Sequence, residues 1–175
     1  MDDESVVAIQ IGRPPRSAVT VRARCHLRLP VAIEVPPVLD DGTPFPTLYW
    51  LTCPLAVTRI SRIESHGGVR AASELLASDP DMAETMAATH RRYAAERDSR
   101  LPADWDGPVP SGGVAGSIGG VKCLHAQYAD TVAGNQNPIG EQVAVEIEPL
   151  DCLVGCVVDG GDGVAIPNPE WSEPV

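Results

Sequence analysis

The sequence predicts an α+β fold: a small, mainly antiparallel sheet packed by several helices, in a single domain with an acidic carboxyl-terminal tail. Three observations carry this. Two β-branched runs stand close together before residue 36, three segments of helical character follow between Pro54 and Arg97, and from Ile139 onward Lys and Arg disappear while carboxylates gather. At 175 residues with 43% apolar side chains, the chain can bury one core without disulfides or metals as obligatory staples. The expected boundary sets residues 1–148 as the domain and 149–175 as a Gly/Pro-rich acidic tail, partly mobile.

The elements follow in order. Residues 3–11 place Val6, Val7, Ile9 and Ile11 in a short run ended by Gly12, Pro14 and Pro15, and periodicity leaves helix and strand open. From Ala18 to Cys25, Val19 and Val21 alternate with Thr20, Arg22 and Arg24, the mark of a half-buried strand. Val31 to Val35 is its expected antiparallel neighbour, stopped by Pro36 and Pro37. Leu48 to Thr52 forms a further strand and runs into Cys53-Pro54, where proline opens a helix bearing Leu55, Val57, Ile60 and Ile63. Val69–Ala77 makes a second helix, and Asp79-Pro80 caps a third that extends towards Arg97. A linker-like stretch, 102–110, leads to a glycine-rich loop at 112–120 and then to a helix read from Val121 to Ala129, with Cys123 in its first turn.

Charge narrows the function classes. A net charge of -11 argues against general nucleic-acid binding, which needs a basic field to displace counterions. No run approaches the roughly 20 apolar residues of a membrane span, and the acidic start Asp2-Asp3-Glu4 is unlike a signal peptide. A cytoplasmic location is therefore expected, where cysteines serve as ligands, reactive groups or small core residues rather than disulfides. Arg13, Arg16, Arg22, Arg24 and Arg28 crowd the amino third, leaving open a solvated basic face, a local anion site or pairing with the acidic end. The lone lysine is Lys122, directly before Cys123; lysine, unlike arginine, acts as a compact charge or gives up a proton.

Chemistry centres on three single cysteines, Cys25, Cys53 and Cys123. A thiol near a helix amino terminus is shifted towards thiolate, and Cys53 and Cys123 have that expected placement. No Cys-x-x-Cys knuckle announces structural zinc. With His26 beside Cys25 and His125 two residues after Cys123, a Cys3His zinc site and an iron–sulfur cluster on three thiolates both remain open. Cys152 and Cys156, in the acidic end, read equally as a strand edge. The glycine loop lacks Walker A spacing and a preceding strand, so it reads as a close-packing or lid segment beside Cys123.

Several segments carry a resemblance. Ile11-Gly-Arg-Pro-Pro-Arg16, Arg24-Cys25 with Leu29-Pro30, the run Thr43 to Pro54, Ile60-Ser61 with Glu64, and Val121-Lys-Cys-Leu-His125 with Asn137-Pro138 together resemble the actinobacterial family called domain of unknown function 501. The match runs from about Val6 to Val143 and departs from the usual pattern at His26-Leu27-Arg28. The resemblance brings no established activity; by genomic association it hints at cell division or polyphosphate metabolism.

The first functional expectation is therefore a metal or iron–sulfur protein. Cys25, Cys53 and Cys123 would be ligands, His125 a fourth ligand or proton donor, and Lys122 an anchor for a small anionic substrate. The alternatives are a non-catalytic adaptor binding a protein partner, and a metal-free enzyme with Cys123 as nucleophile and His125 as base. The last needs Cys123 to precede the helix, since helical neighbours two apart point in different directions.

Overall fold

The computed structural model describes residues 1–174. Its elements are helix α1 (Asp3–Ile11), strands β1 (Thr20–Arg24), β2 (Pro30–Glu34) and β3 (Tyr49–Leu51), helices α2 (Pro54–Ser65), α3 (Gly68–Ser78), α4 (Pro80–Asp98), α5 (Leu124–Val132) and α6 (Pro138–Ile147), and strands β4 (Val157–Asp159) and β5 (Ala165–Pro167). The α+β class and the small antiparallel sheet are as the sequence predicts.

The ambiguous first segment is a helix. Asp2 decides its start by accepting from the Ser5 amide, and Gly12 closes it in the left-handed conformation. The sheet has the order β1-β2-β3, antiparallel throughout, with Val21 opposite Ile33 and Ile33 opposite Trp50. It is covered on both faces, and β2 is buried along nearly its whole length. One face (Ala32, Tyr49, Leu51) joins the main core, to which Val31 also belongs, with Leu55, Ile60, Tyr93, Leu124 and Tyr128. The other (Ile33, Val35) meets Val7 of α1 in a smaller cluster.

Helix α4 ties the layers together. Asp79 caps it through the amides of Asp81 and Met82, and its buried Tyr93 hydroxyl accepts from the backbone amides of Leu48 (2.6 Å) and Tyr49 (3.2 Å) at the start of β3. Tyr93→Phe would leave both buried amides without that acceptor. A loss of about 1–3 kcal/mol is expected, read as a lowered urea midpoint at unchanged m-value.

The glycine loop is wound on α4 rather than held open. His90 accepts the Val114 amide at Nδ1 and donates from Nε2 to the Gly120 carbonyl, which is the neutral tautomer. Burial lowers the His90 pKa in keeping with that. Fully buried Arg97 donates to the Gly112 carbonyl. A Cβ on Gly113 would lie 2.3 Å from His90 Nδ1, so the close approach requires glycine. The loop is a packing device, and its Val114 amide is already engaged.

Residues 149–174 include the β4–β5 hairpin and pack on the domain: Leu150, Cys152 and Trp171 lie against the main core. Their carboxylates pair with α2, Asp151 with Arg59 and Glu173 with Arg62. The crowded arginines of the amino third find other partners, Arg16 with Asp41, Arg22 with Glu34 and Arg24 with Asp3. Charge pairing between the acidic end and the domain thus exists, but its basic side is Arg59 and Arg62.

Candidate metal centre

Cys123 does not sit in the first turn of its helix. Helix α5 begins at Leu124, and Cys123 is its extended N-cap (φ -157°, ψ 125°). That extension lets two residues spaced by two converge: Cys123 Sγ lies 3.8 Å from His125 Nδ1. The third member is Glu64, from the last turns of α2. Its Oε1 accepts the Leu124 amide at 2.6 Å, capping the positive end of α5, and stands 3.3 Å from His125 Nδ1. Among the described residues, these are the one trio of His, Cys and carboxylate ligand atoms within 4.8 Å of one another.

The other imidazole nitrogen fixes the chemistry of the first. His125 Nε2 lies 3.2 Å from the Val57 carbonyl and 3.3 Å from Ser61 Oγ. A carbonyl only accepts, so Nε2 carries the hydrogen and, in the neutral ring, Nδ1 turns its lone pair towards Cys123 and Glu64. Backbone anchoring of the second nitrogen is the usual support of a metal-bound histidine. Burial opposes a charge on His125, yet Cys123 and Glu64 hold its pKa above the ordinary 6.5. All three side chains are half-buried, and Cys123 and His125 border a cleft lined also by Thr47, Tyr49, Trp50, Leu51 and Val57.

The other predicted ligands lie elsewhere. Cys25, at the β1–β2 turn, and Cys53, the N-cap of α2, line a different pocket, and Cys152 and Cys156 line it with them. As N-cap of α2, Cys53 accepts no capping hydrogen bond at its side chain, and burial pushes its thiol up to about 11; the expected shift towards thiolate is overturned because desolvation outweighs the helix terminus. Lys122 is exposed, reaches the Gly116 carbonyl at 3.3 Å and is not part of the Cys123 cleft. His26 bonds the Cys152 carbonyl. The sequence places Glu64 among the segments that carry the family resemblance but gives it no ligand role; the available signal is a carboxylate near the end of a helix, placed to meet the start of another.

A family model described as "Protein of unknown function (DUF501)" matches residues 21–145. The chain belongs to this family. No curated protein and no solved structure matches it. Within this DUF501 protein, Cys25, Cys53, Glu64, Cys123 and His125 fall inside the matched span, whereas Cys152 and Cys156 lie beyond it. Among the described residues, no helix is long and apolar enough to cross a membrane.

Proposed function

We propose that the protein binds a single zinc-like ion through Glu64, Cys123 and His125 and uses the remaining coordination position on a small anionic substrate. The spacing of the ligand atoms carries this reading. Bonds of about 2.0–2.3 Å at tetrahedral angles set neighbouring N, O and S ligands roughly 3.3–3.6 Å apart, and the observed separations from Nδ1 are 3.3 Å to Glu64 and 3.8 Å to Cys123. Three protein ligands with one position free is the pattern of catalytic rather than structural zinc. Such an ion lowers the pKa of bound water and polarises a substrate oxygen. The substrate's anionic group would then meet the ion itself, since Lys122 lies outside the cleft.

The metal-free cysteine enzyme fits less well. There the carboxylate should take one imidazole nitrogen and the thiol the other, whereas here both face Nδ1.

Zinc affinity measured by chelator competition tests the proposal. Cys123→Ser, His125→Ala and Glu64→Gln should each weaken binding by more than about tenfold, a change at least as large as loss of a supporting residue gives. Unchanged affinity in all three sinks it. The pH dependence has a definite sign: a proton on Nδ1 competes with the ion, so affinity should rise as pH climbs through the raised His125 pKa and fall below it.

A further inference from the structure

We infer that Cys25, Cys53, Cys152 and Cys156 hold an iron–sulfur cluster, at a site separate from the Glu64–Cys123–His125 centre. The four thiols come from the β1–β2 turn, the start of α2 and the segment after α6, and all four line one pocket. None is in a disulfide.

Two independent observations identify what would fill it. The first is donors aimed at sulfur. Trp171 Nε1 points at Cys152 Sγ (3.4 Å) and Gln10 Nε2 at Cys156 Sγ (3.6 Å). A neutral thiol is a weak acceptor; donors aimed at two of the four sulfurs are suited to thiolates, and hydrogen bonds to cluster sulfurs are a principal control of their potential. The second is spacing. One tetrahedral zinc with bonds of about 2.3 Å draws its thiolates to about 3.8 Å from one another. No three of these four sulfurs lie within 4.8 Å of each other, the Glu64 trio being the one group that does so among the described residues. A cluster interposes several irons between its thiolates and so holds them farther apart. The surroundings complete the pattern, for Leu27, Leu29, Leu55, Leu150 and Val154 make a largely apolar wall.

The full chain, purified without oxygen and supplied with ferric iron, sulfide and a thiol reductant, tests the assignment. Iron and acid-labile sulfide should be bound in equal amounts, with broad visible charge-transfer absorbance. Cys152→Ser and Cys156→Ser should each lose most of both, while Cys123→Ser keeps them, so this result is independent of the zinc proposal. Far-ultraviolet circular dichroism checks that the variants fold, and the cluster content of Cys123→Ser separates this ligand set from one that includes Cys123. Zinc bound without sulfide, iron bound without sulfide, or a cluster lost in Cys123→Ser but retained in Cys152→Ser and Cys156→Ser would overturn it.

Discussion

Replacing Asp130 by Ala is expected to cost about 3–5 kcal/mol, the range for breaking a buried ion pair by removing one partner. Asp130 is fully buried in α5 and accepts from Arg92 of α4 and from the side chains of Asn135 and Asn137. Asn137 in turn donates to buried Gln127 and caps α6 through the Gly140 amide. Loss of this one carboxylate therefore strips a partner from α4, from the α5–α6 turn and from the cap of α6. Arg92 keeps Glu96, so the cost falls mainly on the asparagine amides and on the half-buried guanidinium. The check is thermal unfolding, with a midpoint lowered by roughly 6–20 °C for a chain of this size. A double-mutant cycle with Arg92→Ala should give a coupling of at least about 0.5 kcal/mol; strict additivity would mean the two groups act separately.

Gly140→Ala offers an opposed test, because propensity and packing predict different signs. Alanine inside a helix favours the folded state by about 1 kcal/mol over glycine. Here, however, an added Cβ would stand 2.1 Å from Thr131 Oγ1 and 2.2 Å from the Gln127 carbonyl oxygen. The carbonyl belongs to the α5 backbone, so relief requires moving one helix away from the other. A net destabilisation of about 1–3 kcal/mol is expected, as for other overpacked cores, read from the urea midpoint. A stabilised variant would show that α5 and α6 separate without penalty.

Most of the scaffold was legible because its signals are local. Alternation in 18–25 marks β1, and Asp79-Pro80 marks the start of α4 within a residue. The start of α5 was placed three residues early because Val121 and Cys123 look compatible with a helix; the extended backbone at Cys123 depends on Glu64 arriving from α2 to cap Leu124. The same long-range contact explains why Glu64 carries no ligand role in the sequence reading. The grouping of the cysteines was the least legible feature. Cys-Leu-Val-Gly-Cys reads as an ordinary strand edge until the segment after α6 folds back on α2 and the β1–β2 turn. One clue was present in Trp171, since a large aromatic in an acidic stretch needs an apolar surface to rest on, and it rests beside Cys152.

The four-cysteine pocket also has a history in time. Its walls are made in the order Gln10, Cys25, Cys53, Cys152, Cys156, Trp171, and a chain grows from its amino end. Cys25 and Cys53 therefore emerge from the ribosome while their partners are still untranslated. During that interval they form an open pair of thiols, and the enclosed four-sulfur site exists only after translation has passed Trp171. The cluster inferred for this pocket would be delivered only after translation has passed Trp171, or be held by two ligands until the other two arrive.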